Sequence, residues 1–210
     1  MNPFELLAIL VILCDIALCA TGRLRVLIRA AAVQGAALGL LPLARHISSE
    51  TILLVCATIG IKAFLFPYLL LRALEKSGAE REPKPYISYN LSLGICAALF
   101  AVSAWLAAAL DGGEPLMTAA FFSVFSGFFV MTARKSAFSQ AIGYLVLEGG
   151  IYAFGMTLPG GSPAPVELGL LLDILMAAFI IGLMLYNISR EFAHADMARI
   201  SFLSEAEDYD

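Results

Sequence analysis

Seven apolar stretches, separated by short polar connections, follow one another along the chain. Each is close to the roughly 20 residues that an α-helix needs to cross the hydrocarbon core of a bilayer. They cover residues 4–21, 25–44, 51–73, 87–110, 115–133, 137–158 and 166–188. The pattern predicts an all-α, polytopic membrane protein in which residues 1–188 form a seven-helix transmembrane domain and residues 189–210 form a cytoplasmic polar tail.

The composition agrees with a lipid environment. Of the 210 residues, 60% are hydrophobic and 14% are charged, whereas a soluble domain is about half apolar and a quarter charged. The formal net charge is −4, and no basic cluster resembles the footprint of a nucleic-acid-binding protein. We therefore expect the lipid bilayer as a partner and no nucleic acid.

Basic residues are distributed unequally between the two sets of connections. One set has only Arg45. The other set has Arg23, Arg25, Arg72, Lys76, Arg81, Lys84, Arg134, Lys135, Arg190 and Arg199. Because cytoplasmic connections are enriched in Lys and Arg, this asymmetry places the N-terminus outside and the C-terminus in the cytoplasm. That orientation requires an odd number of spans, which agrees with seven.

Residues that bind metals and cofactors are few. The only histidines, His46 and His194, lie outside the apolar stretches, so bis-histidine haem ligation is not expected. The cysteines form no Cys-x-x-Cys pair, and we interpret them as buried free thiols. They are Cys14, Cys19, Cys56 and Cys96. We expect no cofactor and no metal in this chain.

Three polar groups near the cytoplasmic side of the first two helices suggest contacts between helices. Asp15 and Arg29 have similar predicted depths, which favours an inter-helix ion pair. Gln34 lies deeper, and we expect it to bridge helices by hydrogen bonds.

Three ionisable residues lie near the predicted midplane of the bilayer. Lys62, Glu148 and Asp173 are roughly 15, 17 and 21 Å from the inner ends of their helices, at 1.5 Å per residue. A charge at this depth costs about 2.5–3.5 kcal/mol on insertion scales, and such residues often mark ion pathways. They either form a buried ion pair that only joins helices or handle protons laterally. A change in their separation would change the pairing energy and move a proton without a cofactor.

A polar stripe leads along the sixth stretch. Gln140, Tyr144, Glu148 and Tyr152 follow at intervals of four, and residues four apart share a helix face. Each can hold a proton or order a water, so we expect Gln140, Tyr144 and Tyr152 to belong to the proton path. The alternative is that the tyrosines only pack between helices.

Two backbone features lie next to these charges. The adjacent glycines Gly149 and Gly150 are typical of a kink, a π-bulge or a close backbone approach. Pro67 has no N–H, so it cannot bond the carbonyl of Ala63, next to Lys62. A freed carbonyl there would stabilise an ammonium group.

Three segments resemble the hydrogenase-4 component E family. Residues 139–151 are similar to its Gln-x-x-Gly-x-x-x-x-Glu-Asn-Gly helix, and residues 61–67 and 167–173 fit in helix order. This chain has Gly149 where the family pattern has Asn. The family looks like an enlarged subunit K of respiratory complex I.

The resemblance implies a membrane-arm subunit of a group 4 [NiFe] hydrogenase or formate hydrogenlyase-type complex in a bacterial or archaeal cytoplasmic membrane. Glu148 and Asp173 are the positions that match the family's two helix-borne carboxylates. The metal centres would belong to other subunits, and the partners would be other membrane subunits of the complex. Two alternatives stay open: a subunit of a multi-subunit cation/proton antiporter, and a purely structural membrane-arm subunit.

Overall fold

The fold is an assembly of helices. The structure, a computed structural model, describes residues 3–45, 49–77, 86–158, 169 and 172–182. Helices α1, α2, α4, α5, α6 and α7 are Pro3–Ala20, Leu24–Arg45, Tyr89–Asp111, Pro115–Ala133, Ala137–Thr157 and Leu172–Gly182. Helix α3 consists of three consecutive segments, Ser49–Ile59, the π-helical Gly60–Leu65 and Phe66–Ser77. The predicted all-α fold class is confirmed.

Four of these helices are long and apolar enough to cross a membrane. The candidate spans are Leu24–Leu43, Val55–Lys76, Tyr89–Leu110 and Pro115–Ala133. The predicted tail at 189–210, both histidines and the ends of the seventh stretch lie outside the described residues.

The turn between α4 and α5 follows directly from its sequence. Gly112 ends α4 in the left-handed conformation with φ 66°, which glycine adopts without a steric penalty. Pro115 then begins α5, where its missing N–H would have no partner in any case. This turn is one of the short polar connections between the apolar stretches.

Helix α6 packs closely against α5. A Cβ on Gly150 would lie 2.7 Å from the Val124 nitrogen and 2.8 Å from the Ala120 carbonyl oxygen. Gly149 instead faces Leu38 of α2. Small residues let helix backbones approach in this way. The glycine pair therefore serves the predicted close approach. The predicted π-bulge does not occur, because α6 is α-helical over Ala137–Thr157.

The π-helical segment occurs in α3, directly before Pro67. The Phe66 N–H donates to the Ile61 carbonyl, five residues earlier, as in a π-turn. Because Pro67 lacks an N–H, the regular α-helical ladder is already interrupted here. The segment contains Lys62 and gives that residue a backbone setting unlike the rest of the helix.

Arg134 is buried, although its sequence context predicts a cytoplasmic connection. Its Nη2 donates to the carbonyls of Cys19, at 3.0 Å, and Thr21, at 3.4 Å. Its guanidinium carbon lies 4.7 Å from the ring centroid of Tyr89. A cation at the carboxyl end of α1 complements the helix dipole. Arg134 thus joins the end of α1 to the start of α4.

Candidate functional site

Lys62 projects from the π-helical segment of α3 into the bundle and is only 7% exposed. Helix α2 approaches it through Gly35, where a Cβ would lie 2.9 Å from the Lys62 Cβ. The glycine therefore makes room for the lysine, and any larger residue would push α2 and α3 apart.

Glu148 pairs with this lysine. The Lys62 Nζ lies 2.5 Å from both Oε1 and Oε2 of Glu148, whose side chain is 1% exposed. The residues are on α3 and α6, so one buried ion pair joins two helices that are far apart in sequence. A buried pair of this kind needs good geometry, since both ions lose their hydration.

Asp173 completes the cluster from α7. Its Oδ1 lies 3.8 Å from the Lys62 Nζ, and its side chain is 12% exposed. At that distance the oxygen has no hydrogen-bond partner within the described part of the chain. Lys62 thus stands between two carboxylates, close to Glu148 and farther from Asp173. The structure brings together the three ionisable residues that the sequence places at one depth.

Tyr152 and Gly169 flank the cluster. The Lys62 Nζ lies 5.5 Å from the ring centroid of Tyr152, within range of a cation–π interaction. The buried hydroxyl of Tyr152 has no hydrogen-bond partner among the described residues. A Cβ on Gly169 would lie 3.2 Å from Oε1 of Glu148, so Gly169 lies close to the carboxylate.

The rest of the predicted stripe does not reach Glu148. The Tyr144 hydroxyl donates to the Leu172 carbonyl, at 3.4 Å, and so ties α6 to α7. Gln140 is exposed and donates to the Arg134 carbonyl, at 3.4 Å. A spacing of four drifts by about 40° at each step, because a helical turn has 3.6 residues. Gln140 lies two such intervals before Glu148, so its side chain points in a different direction from that of Glu148.

Besides the cluster around Lys62, a second group of buried polar side chains consists of Asp15, Gln34 and Ser123. The Ser123 hydroxyl of α5 donates to Oδ2 of Asp15 at 2.6 Å, and the Gln34 amide donates to Ser123 Oγ at 3.3 Å. The predicted bridging role of Gln34 is confirmed. The predicted Asp15–Arg29 ion pair is wrong: Asp15 is fully buried, Arg29 is exposed, and no salt bridge joins them. The two side chains leave their helices in different directions.

Sequence reasoning missed Ser123. A serine among the phenylalanines of α5 is a weak signal, since a hydroxyl can also bond its own helix. The cysteines are free thiols as predicted, but Cys56 is exposed, so its predicted burial is wrong. Among the described residues no three His, Cys, Asp or Glu side chains are grouped to hold a metal ion.

Comparison with known proteins shows a relative that is similar over most of the chain. Uncharacterized protein Rv0085 of Mycobacterium tuberculosis is 37% identical to the chain over 191 residues, which span 87% of each protein. Its name states no activity. No protein-family model matches the chain, and no solved structure matches it. The resemblance to hydrogenase-4 component E stays a prediction.

Proposed function

We propose that this chain, which belongs to the same family as Rv0085 of Mycobacterium tuberculosis, is a non-catalytic membrane-arm subunit of a complex I-related, energy-converting hydrogenase. In this role it contributes buried charges to a proton-translocation path. The observation that carries the proposal is a single buried lysine between two carboxylates.

The charge balance of the cluster favours proton binding. With all three groups ionised, one ammonium faces two carboxylates, and the cluster has a net negative charge. An uncompensated charge is costly away from water. Uptake of one proton by a carboxylate removes that charge. The cluster is therefore suited to hold and release one proton.

The unequal distances support a switching role for Lys62. The lysine is close to Glu148 and 3.8 Å from Asp173. A small movement towards Asp173 would weaken the pair with Glu148 and leave that carboxylate free to take up a proton. A reverse movement would release the proton again. Only the position of an ammonium group has to change, and no cofactor in this chain takes part.

The proposed role includes the topology predicted from the sequence, seven spans with the N-terminus outside. Helix α6 carries Glu148 and two tyrosines, and it is covered by neighbouring helices over most of its length. A helix surrounded by protein tolerates such groups better than one facing lipid. Helix α4 instead exposes large apolar side chains, including Leu91, Phe100 and Trp105, which suit lipid or the other membrane subunits. The membrane would be a bacterial or archaeal cytoplasmic membrane.

The Glu148→Gln variant of the intact complex tests the proton path. Glutamine keeps the size of the side chain and cannot be ionised. We expect the complex to assemble and proton translocation to fall about a hundredfold, the scale on which acid–base groups act. Glu114→Gln is the matched control, because Glu114 is an exposed carboxylate at the start of α5. Normal pumping by the Glu148→Gln complex would show a purely structural subunit instead.

Isolation of the complex in mild detergent tests the assignment to a hydrogenase. We expect a nickel-bearing large subunit to copurify with this chain. If none is found, and if transport into vesicles depends on sodium, the chain belongs to a cation/proton antiporter and the hydrogenase assignment is wrong.

A further inference from the structure

Asp15 is the one other fully buried carboxylate in the described part of the chain, and the Lys62 cluster does not include it. Its Oδ2 accepts a hydrogen bond from Ser123, and its Oδ1 has no hydrogen-bond partner within the described ranges. No salt bridge to Asp15 occurs there either. A carboxylate that holds helices together usually has a cation or several donors. Asp15 has no cation beside it, and the side chains that hydrogen-bond it in the described part of the chain, Ser123 and Gln34, are both neutral. An ionised Asp15 would therefore be an uncompensated buried charge, which a purely structural role explains poorly.

A small cavity lies against both Lys62 and Gln34. It lies between α2, α3 and α6 and has a volume of about 10 Å³, close to the minimum that admits one water molecule. Its polar lining comes from Gln34 and Lys62. Because Gln34 also donates to Ser123, this side chain stands between the cavity and Asp15. Lys62, the cavity, Gln34, Ser123 and Asp15 thus form a buried polar series that crosses from α3 to α1.

We propose that Asp15 is a second proton acceptor on the path and that Gln34 controls its connection to Lys62. This inference rests on the proposed proton-handling function of the Lys62 cluster. It adds a branch that leads from the cluster through Gln34 of α2 to Asp15 of α1. Gln34 is a positioning residue here, since an amide orients water and hydroxyl groups without carrying the proton itself.

The transfer balances as a chain of proton exchanges. The Lys62 ammonium releases one proton to a water in the cavity, and the N–H bond electrons stay on the amine. When the Gln34 amide turns away from Ser123, the water passes a proton to the Ser123 oxygen. Ser123 in turn releases its own hydroxyl proton to Oδ2 of Asp15. The protonated carboxyl group of Glu148 returns a proton to the Lys62 amine, which is then an ammonium again. The products are an ionised Glu148 and a neutral Asp15 carboxylic acid, with the total charge unchanged.

Asp15→Asn in the intact complex tests the acceptor. Asparagine keeps the shape and still accepts a hydrogen bond from Ser123. We expect assembly to be preserved and proton translocation to fall about a hundredfold, as for loss of an acid–base group. Normal translocation by the Asp15→Asn complex overturns the inference. If the variant does not assemble, Ser123→Ala decides in its place, because it keeps the carboxylate and removes only the relay hydroxyl.

Ser103→Ala is the matched control for Ser123→Ala. Ser103 is also fully buried, but its hydroxyl donates to the Leu99 carbonyl of its own helix, at 2.8 Å. We expect the control to translocate protons normally. Equal losses in both serine variants would indicate a general packing effect and count against the inference.

Infrared difference spectroscopy separates this inference from the proposed function. We expect a carbonyl band of a protonated carboxyl group that is absent in Asp15→Asn and displaced in Gln34→Leu and in Glu148→Gln. If Glu148→Gln stops translocation while the Asp15 band stays unchanged, the cluster carries protons and the Asp15 branch is wrong. If Glu148→Gln translocates normally, the proposed function fails, and displacement of the Asp15 band still decides whether the two groups are coupled.

Discussion

At the scale of residues, one lysine has to satisfy two carboxylates. Lys62 contacts Glu148 at 2.5 Å and Asp173 at 3.8 Å. The sequence predicts the shared depth of these groups, because depth follows from counting residues along each helix. It leaves their pairing open, since contact also requires that three helices turn the right faces towards each other. Asp15 illustrates why depth alone does not give the partner. Its depth predicts an ion pair with Arg29, but its side chain accepts a hydrogen bond from Ser123 instead.

A double-mutant cycle measures the Lys62–Glu148 pair. Lys62→Met alone leaves a buried carboxylate without its cation, and we expect a loss of about 3 kcal/mol in the free energy of unfolding. The Lys62→Met/Glu148→Gln variant removes both charges, so it should be more stable than the sum of the single losses predicts, by about 2 kcal/mol. Denaturant unfolding in detergent micelles provides the values.

The control for this cycle is Lys135→Met. Lys135 is exposed over the ring of Tyr86, 4.4 Å from its centroid. Its replacement should change the free energy of unfolding by less than about 0.5 kcal/mol, as surface substitutions usually do. Strictly additive losses for Lys62→Met and Glu148→Gln would show that the two side chains do not interact.

At the scale of elements, the approach of α2 to α3 positions the lysine. The π-helical segment Gly60–Leu65 carries Lys62, and Gly35 of α2 lies directly against it. The sequence indicates a disturbance near Pro67, because the missing N–H is a local property. It does not show which residues become π-helical, since that depends on which helix packs against the segment. The role of Gly149 and Gly150 in α6 is likewise open in the sequence. Their contacts with Leu38 and α5 show that they allow a close approach of helices.

Two glycine substitutions test this packing. A Cβ on Gly35 would lie 2.9 Å from the Lys62 Cβ, whereas a Cβ on Gly60 would meet nothing within 4 Å. We expect Gly35→Ala to lower the free energy of unfolding by about 1–3 kcal/mol, because the helices must move apart. We expect Gly60→Ala to be neutral or to stabilise the protein by up to about 1 kcal/mol.

Unfolding of both variants under the same conditions checks the expectation, and proton translocation provides a second measurement. Gly35→Ala should also impair translocation, because it displaces Lys62. Equal effects of the two substitutions would contradict the close approach of α2 to the π-helical segment.

At the scale of the whole molecule, many large apolar side chains are exposed and several ionisable side chains are buried, unlike in a soluble protein. Large apolar side chains such as Leu53, Phe64 and Trp105 are exposed, while Lys62 and Glu148 are buried. This distribution is expected for helices surrounded by lipid, in which ionisable groups face the interior of the bundle. The length of the apolar stretches predicts it without knowledge of the contacts. The membrane orientation rests on the basic residues of the connections.

Cysteine labelling tests the proposed orientation across α5. Glu114 and Lys135 are exposed near opposite ends of this helix. In a protein whose native cysteines are replaced by serine, Glu114→Cys should react with a membrane-impermeant maleimide from outside intact cells. Lys135→Cys should react only after the membrane is permeabilised. Reaction of both sites in intact cells would show that α5 does not span the membrane, and the reverse pattern would invert the topology.

The all-α class, the approximate helix positions and the short list of charges at mid-depth follow from the sequence alone. These are local properties, because apolar length and residue count can be read along each stretch independently. The contacts of Lys62 with Glu148 and Asp173, the Ser123–Asp15 hydrogen bond and the burial of Arg134 depend on how the helices pack. The physical reason is that each residue turns an α-helix by about 100°. A side chain's partner therefore depends on the rotation and packing of whole helices.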